Sequence, residues 1–223
     1  MIPPWLIVPI IYGVYKLLTK DDEGSNTPTP PVLPVVGNRI CLIGKTGTGK
    51  SSTANALLGY EAFAVGAKNG STTKAFEVSY KNNFTIVDTP GLLDTINHEN
   101  TIIYELARSK IILYVTNGQL FQTELDFLYK IRSHHLQSSQ KIILYVNQQD
   151  TRERTMPTQQ REVEKRSIKN QVISWLSEDK IVFGSAAPVK NGALLPPSIS
   201  ELNNLISVLR DFVWVSIKPL PGI

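Results

Sequence analysis

A short stretch near the start of the chain has the residue types and spacing of a phosphate-binding loop. Residues 44–51, GKTGTGKS, match the pattern G-x-x-x-x-G-K-[ST], directly after an apolar run and before a helical one. Gly44, Gly47 and Gly49 allow a tight turn whose backbone N–H groups point inward at phosphate oxygens. Lys50 would reach the β- and γ-phosphates, and the Ser51 hydroxyl would bind Mg²⁺. The pattern therefore favours a nucleoside triphosphate site over a purely structural glycine-rich turn.

A second polar group follows a strand-like run later in the chain. Asp88-Thr-Pro-Gly91 comes directly after FTIV. An acidic residue at a strand end can hold Mg²⁺ directly or through water, and the N–H of Gly91 could contact a γ-phosphate. Alone, these residues would indicate an ordinary turn. With the phosphate loop upstream, we expect Asp88 to be a metal ligand.

Strand and helix patterns alternate from Arg39 onward, which predicts an α/β fold. The predicted strands are 39–44, 75–80, 84–89, 111–115, 142–146 and 181–183. The first predicted helix follows the phosphate loop and ends at Leu58, before Gly59. Further helices are predicted over about 98–108, 123–135 and 158–177, and the last one begins near Ser198.

Two near-copies of an apolar run stand out among the strands. KIILYVTNGQ (110–119) and KIILYVNQQD (141–150) share unbroken aliphatic stretches, as strands buried on both faces require. A helix between them completes a βαβ unit. Ligands bind at the carboxyl ends of parallel strands, so the polar tails of both runs are expected near the ligand. Only the second tail ends in Asn147 and Asp150.

The composition is that of a protein with a packed core. Of 223 residues, 42% are hydrophobic and 19% are charged. A net charge of +4 is too small to indicate nucleic-acid binding, and no nucleic-acid partner is expected. Cys41 is the single cysteine, which excludes an intrachain disulfide and fits a reducing compartment.

Residues 1–20 form a hydrophobic segment that we interpret as a membrane anchor. MIPPWLIVPIIYGVYKLL is uncharged before Lys16, and Lys16 and Lys20 favour a cytoplasmic location for the rest of the chain. The alternative is a segment that packs on the protein's own surface in a soluble cytoplasmic protein. A Pro-rich linker at 21–38, a folded domain at 39–216 and a tail at 217–223 are expected to follow.

The motifs together resemble those of Ras-like GTPases of the translation-factor-related class. GKTGTGKSS, STTK (71–74), DTPG, NQQD and GSAA (184–187) occur in the order of that family's five motifs. Residues 44–59 look most like septins, immunity-associated GTPases, chloroplast import-receptor GTPases and Era-like GTPases. The resemblance covers about 39–216. It implies a three-layer α/β/α fold, a mixed six-stranded sheet with one antiparallel edge strand, and GTP or GDP bound with Mg²⁺.

The resemblance also implies roles for individual residues. The implied nucleotide-binding residues are Gly44, Lys45, Thr46, Gly47, Thr48, Gly49, Lys50, Ser51, Ser52, Asn147, Asp150, Ser185 and Ala186. The implied Mg²⁺ ligands are Ser51, Thr73 and Asp88, and the implied catalytic groups are Lys50, Thr73 and Gly91. Thr72 is an alternative to Thr73 as the switch threonine. The first switch would cover 60–74 and the second 89–100.

Base recognition would depend on the tail of the second near-copy. Asp150 can accept hydrogen bonds from guanine N1–H and the 2-amino group together, whereas adenine would leave this carboxylate unpaired. Asn147 would tie the surrounding loops together, and the backbone of Ser185 and Ala186 would contact the guanine oxygen. Gln148 stands where the family has a lysine whose stem covers the base, so weaker nucleotide affinity is expected.

Slow hydrolysis is expected, because the family's water-positioning glutamine is replaced by Leu92, and Leu93 cannot orient water either. Related proteins with an apolar residue here pair across the nucleotide face or bind potassium. Gly47 stands where potassium-binding members carry Asn, which favours a homodimer. The sequence thus predicts a membrane-tethered GTPase switch. A septin-like GTP-binding scaffold with little turnover is the alternative, and Asp150 opposes a third reading as an ATPase.

Overall fold

The computed structural model describes residues 38–65, 75–80, 84–92, 96–134, 136–186 and 198–210. The strands are β1 Arg39–Ile43, β2 Phe76–Tyr80, β3 Phe84–Asp88, β4 Ile111–Thr116, β5 Lys141–Val146 and β6 Ile181–Phe183. The helices are α1 Lys50–Leu58, α2 Ile96–Arg108, α3 Gln122–His134, α4 Gln149–Thr155, α5 Thr158–Val172 and α6 Ser198–Arg210. A 3₁₀ turn at Glu178–Lys180 precedes β6.

The strands form one mixed sheet in the order β2-β3-β1-β4-β5-β6. Strand β2 lies at the edge and pairs antiparallel with β3, and the other neighbours pair in parallel. The predicted six-stranded sheet with one antiparallel edge strand is therefore confirmed. Its parallel strands end on one side, so the loops that follow β1, β3, β4, β5 and β6 lie along the same edge.

Hydrophobic clusters cover both faces of the sheet and make the three layers. On one face, α1 and α6 pack against β1. Leu57 and Leu205 of the helices belong to the same cluster as Ile40 and Leu42 of the strand. On the other face, α2, α3 and α5 pack against alternate strand positions such as Cys41. Because successive strand residues point to opposite faces, burial on both faces requires the unbroken apolar runs seen in the sequence.

The two near-copies form neighbouring strands with a stagger of one residue. Sequence alignment matches Ile111 with Ile142, but the sheet pairs Ile111 with Lys141. A shift of one residue moves each side chain to the other face. Tyr114 consequently packs with α2 and α3, whereas Tyr145 packs with α1 and α6. The same apolar sequence therefore contributes its tyrosine to opposite faces of the sheet in the two strands.

The helix predicted over about 158–177 is wrong at its C-terminal end, because α5 spans only Thr158–Val172. The short α4 was not predicted, and Pro157 separates it from α5. His98 in α2 is buried, with 2% of its surface exposed.

Several expectations lie outside the described residues. These are the anchor at 1–20, most of the linker at 21–38, the switch threonines and the tail at 217–223. Within the ranges that the structure does describe, every helix is too short or too polar to span a bilayer.

Gln140 connects α2, the loop before β4 and the turn before β5. Its amide nitrogen donates to the carbonyls of Leu106 and Ser109 at 2.7 and 2.6 Å, and its amide oxygen accepts from the backbone N–H of Gln137 at 2.8 Å. The side chain is 5% exposed, so water cannot replace these bonds easily.

Gln140→Ala is expected to lower the free energy of unfolding by about 2 kcal/mol, because buried backbone groups lose their partners. Urea denaturation of the purified protein measures the loss. Ser139→Ala, at an exposed neighbouring position, is the control and should change stability by less than about 0.5 kcal/mol. Equal midpoints for the two variants would contradict the connecting role of Gln140.

Candidate functional site

The phosphate loop lies where β1 ends and α1 begins, and its glycines are required by close contacts. Gly44, Gly47 and Gly49 all have positive φ, at 147°, 83° and 94°. A Cβ on Gly44 would collide with the carbonyl of Val115 in β4, and one on Gly49 would collide with the amide of Asn147. Backbone conformation and packing therefore both exclude larger residues at Gly44 and Gly49.

Lys50 extends back along the inside of this loop. Its ammonium group donates to the carbonyls of Gly44 and Lys45, both at 3.0 Å, and the residue is 7% exposed. A buried ammonium needs such partners. The charge is thus held at the concave side of a loop that has Thr46 and Gly47 exposed at its tip. This arrangement can receive an anion without moving the lysine backbone.

Ser51 and Asp88 meet beside Lys50. The Ser51 hydroxyl donates to Asp88 Oδ2 at 2.6 Å. Burial raises the pKa of Asp88, and the hydrogen bond from Ser51 and the charge of Lys50 oppose that rise. Asp88 Oδ1 is buried and makes no hydrogen bond with the described residues. A hydroxyl next to a buried carboxylate with a spare oxygen fits a small divalent cation, which prefers oxygen ligands.

The segment after Asp88 is tied to the phosphate loop through its backbone. The N–H of Leu92 donates to the carbonyl of Gly44 at 3.0 Å, and the Thr89 hydroxyl donates to the carbonyl of Leu42 at 2.7 Å. The Leu92 side chain is 1% exposed and belongs to the core beneath α2 and α3. It therefore cannot face a nucleotide. Gly91 is buried and directly precedes Leu92, whereas Thr73 and Leu93 lie outside the described residues.

Asn147 joins three loops at the other end of the site. Its side-chain amide donates to the carbonyl of Thr48 at 3.0 Å and accepts from the N–H of Ala186 at 2.8 Å. Its backbone N–H donates to Thr116 at the end of β4. The linking role that the family resemblance implies for Asn147 is present. However, the Ala186 N–H, expected to face a guanine oxygen, is used by Asn147 in this structure.

Asp150 lies in the first turn of α4, next to the loop after β6. Its N–H donates to the Ser185 hydroxyl at 2.7 Å, so Ser185 acts through its side chain rather than only its backbone. The Asp150 carboxylate is 39% exposed and accepts from Arg154 at 3.1 Å, where Arg154 is 72% exposed. An exposed pair at i,i+4 contributes only about 0.3–0.5 kcal/mol. The carboxylate therefore remains available to a ligand.

The remaining phosphate-loop residues divide in two groups. Thr48 closes the turn through its hydroxyl, which donates to the carbonyl of Lys45 at 2.9 Å, and Ser52 is half-buried in the first turn of α1. Lys45 points away from the loop, and its ammonium lies 4.2 Å from the ring centre of Phe121.

The sequence reading missed Phe121, which follows the tail of the first near-copy. No motif marks it, because the contact depends on how β4 and β1 are placed side by side.

The comparisons with known proteins agree with this geometry. A sequence model of the AIG1 family matches residues 38–154. The chain is 30% identical over 205 residues to GTPase Der of Bacillus cytotoxicus, which covers 82% of this chain and 45% of that protein. The chain thus spans about half the length of the curated relatives that it matches.

Solved GTPase structures share the fold. Era of Aquifex aeolicus bound to GDP·AlF4⁻ superimposes with a TM-score of 0.58 at 18% identity, covering 80% of this chain and 57% of Era. Toc33 of Arabidopsis thaliana in complex with GDP and Mg²⁺ superimposes with a TM-score of 0.53 at 17% identity, covering 92% and 91%. The predicted Ras-like P-loop fold, with Era and the chloroplast import receptors among its neighbours, is confirmed. Because the family model matches more than half of the chain, at residues 38–154, the chain belongs to the AIG1 family.

Proposed function

We propose that this protein binds GTP and GDP with Mg²⁺ and hydrolyses GTP slowly, as a nucleotide-dependent switch. The observation that carries the proposal is the Asn147 side chain, which joins the phosphate loop at Thr48 to the loop at Ala186. This link supports one continuous site that would include the phosphate loop and the Asp150 carboxylate. Membership of the AIG1 family and the likeness to GTPase Der support the same function.

Mg²⁺ would be held by the Ser51 hydroxyl and the Asp88 carboxylate, which already lie together. The ion would neutralise charge that develops on the β- and γ-phosphates during transfer to water. The Lys50 ammonium would contribute to the same stabilisation by exchanging loop carbonyls for phosphate oxygens. Thr73 would complete the metal site when GTP is bound. The GDP and Mg²⁺ in the Toc33 structure support this assignment.

Guanine selection would depend on the charge of Asp150. Its carboxylate can accept two hydrogen bonds from N1–H and the 2-amino group, each contributing about 1.5–3 kcal/mol. Adenine offers an acceptor at N1 and lacks the 2-amino donor, so the same carboxylate would be desolvated without a partner. The hydrogen bond from the Asp150 N–H to the Ser185 hydroxyl holds the start of α4 against the loop after β6, where the base would bind. Release of Ala186 N–H from Asn147 would supply the contact to the guanine oxygen.

Slow turnover follows from the position of Leu92. The residue after Gly91 packs in the core, so no side chain there can orient the attacking water. We propose that a second copy of the chain, paired across the nucleotide face, raises the rate. For the chloroplast translocon components atToc33 and psToc159, dimerization is important for the GTPase activity. We also propose that residues 1–20 tether the protein to a membrane, with the GTPase domain in the cytoplasm.

Asp150→Asn is expected to change the preferred base from guanine to xanthine. The amide donates a hydrogen bond where the carboxylate accepted one, and the 2-oxo group of xanthine can accept it. GDP affinity should fall by roughly tenfold to a hundredfold. Titrations with GDP, XDP and ADP measure the exchange. Lys50→Ala should lower the affinity for all three nucleotides to a similar extent. ADP binding as tight as GDP binding in the unmutated protein would contradict guanine selection.

Asp88→Asn is expected to raise the stability of the metal-free protein and to abolish the effect of Mg²⁺ on nucleotide binding. Burial raises the pKa of Asp88, so the folded protein loses stability as the pH rises from the ordinary carboxyl range through that raised pKa. Without Mg²⁺ at neutral pH, the variant should melt at a higher temperature than the unmutated protein. At pH values below the ordinary carboxyl pKa this difference should vanish.

In the same variant, Mg²⁺ should no longer strengthen GDP binding, because the amide carries no charge. Thermal scans and Mg²⁺-dependent titrations check both parts. A lower melting temperature at neutral pH, or an unchanged Mg²⁺ effect, would exclude the proposed role of Asp88.

Single-turnover GTP hydrolysis is expected to accelerate as protein concentration rises, since the second copy would complete the catalytic site. Rates at low and high protein concentration, with mass measurement by light scattering, test this. A rate that is independent of concentration would contradict catalysis through pairing. Tight GTP binding without turnover at any concentration would favour the septin-like scaffold instead.

A further inference from the structure

Arg152 connects the helix that carries Asp150 to two other elements. Its Nε and Nη2 donate to the two carboxylate oxygens of Glu164 in α5, at 2.7 and 3.1 Å. Nη2 also donates to the carbonyl of Asn117, in the tail after β4. The Arg152 and Glu164 side chains are only 14% and 18% exposed. A two-point Arg–carboxylate pair of this kind has a defined direction as well as strength.

The segment 117–121, here called the β4 tail, is held along its whole length. The Gln119 amide donates to the Ser167 hydroxyl at 3.1 Å, and Gln171 bonds both the N–H and the carbonyl of Leu120, at 3.0 and 2.9 Å. Ser167 and Gln171 both belong to α5. The tail therefore runs against α5 as a fixed strip rather than an independent loop.

The far end of the β4 tail reaches the phosphate loop. The N–H of Phe121 donates to the carboxylate of Glu124 at 3.0 Å, and Tyr114 donates to the other oxygen of that buried carboxylate at 2.8 Å. The ammonium of Lys45 lies over the Phe121 ring, 4.2 Å from the ring centre. Contacts thus continue from α4, through Arg152 and the β4 tail, to the loop that binds phosphate.

Helix α4 needs such external support. It has seven residues, no side-chain cap at its start, and begins after Gln148 in a left-handed conformation with φ of 62°. A helix of this length is not stable by itself in water. Gln149 is its only buried residue. Its direction, and hence that of Asp150, must be set by contacts such as the one from Ser185 and the one made by Arg152.

We infer that Arg152 is a positioning residue for base recognition: its bonds to Glu164 and Asn117 hold α4 so that the Asp150 carboxylate faces the 2-amino group of guanine. The inference rests on the proposed guanine nucleotide site. Arg152 touches no nucleotide itself. It acts only through the orientation of α4, so loss of the brace should reduce discrimination between bases more than it reduces affinity for phosphates.

Gly118→Ala offers a mild disruption of this brace. An added Cβ at Gly118 would lie 2.7 Å from Nη2 of Arg152 and in ordinary contact with Glu164 Oε1 at 3.7 Å. The backbone of Gly118 is outside the left-handed region, so alanine is tolerated there. The flexible end of Arg152 must move away, while Arg152 and Glu164 both remain in the chain.

The experiment measures GDP and IDP dissociation constants with Mg²⁺ for the unmutated protein, Gly118→Ala, Arg152→Ala, Arg152→Lys and Glu164→Gln. IDP lacks only the 2-amino group. Arg166→Ala, an exposed arginine in α5, is the matched control. Thermal unfolding of each variant without nucleotide separates loss of folding from loss of discrimination.

The unmutated protein and the control should favour GDP over IDP by roughly tenfold or more, the effect of one charge-assisted hydrogen bond. Gly118→Ala, Arg152→Ala and Glu164→Gln should each bring that ratio to within about threefold of equality. Arg152→Lys should recover only part of it, because an ammonium cannot reproduce the guanidinium fork. If Arg152→Ala does not fold, Gly118→Ala decides.

Proportional weakening of GDP and IDP in these variants, with the ratio retained, would overturn the inference and leave the proposed function standing. An unmutated protein that binds neither nucleotide, or both equally, would instead contradict the proposed function and the inference with it.

Discussion

The amide of Asn147 is the interaction on which the arrangement of the site depends. It is 2% exposed and makes hydrogen bonds in two directions, to the phosphate loop and to the loop after β6. A buried amide that loses a partner costs roughly 1–3 kcal/mol, so both loops are held to it. The same proximity explains Gly49, since any Cβ there would occupy the space of the Asn147 amide. The spacing between the phosphate loop and the loop after β6 is therefore set by one side chain that directly follows β5.

Charge in this site is placed at a cost to stability. Asp88 is buried with one carboxylate oxygen lacking a hydrogen bond from the described residues, and burial raises its pKa. Lys50 occupies the inside of the loop and donates to the carbonyls of Gly44 and Lys45. Both groups would gain by binding a Mg²⁺–phosphate ligand. A ligand that supplied a cation to Asp88 and an anion to Lys50, as proposed above, would satisfy both groups, and its binding should stabilise the fold.

Packing and catalysis compete for the position after Gly91. Leu92 fills the core between the sheet and helices α2 and α3, whereas a catalytic side chain would have to face the phosphates. The fold gains apolar burial there and gives up a group that could orient water. In the proposed hydrolysis, a group that orients water must then come from another segment or another molecule. Recognition is served differently, because the brace through Arg152 stabilises a short helix that could not hold its own direction.

Local chemistry was sufficient to predict much of this protein from its sequence. The phosphate loop needs glycines and a lysine at fixed spacing, strands buried on both faces need unbroken apolar runs, and Gly59 ends α1 in the left-handed conformation expected of a C-cap. What the tertiary structure alone decided depends on register between distant segments. The one-residue stagger of β4 and β5 sends Tyr114 and Tyr145 to opposite layers, His98 turns inward, and Arg152 meets Glu164 and Asn117. Such contacts leave no periodic trace, because each one is fixed by how helices and strands pack together rather than by the residues next to it in the chain.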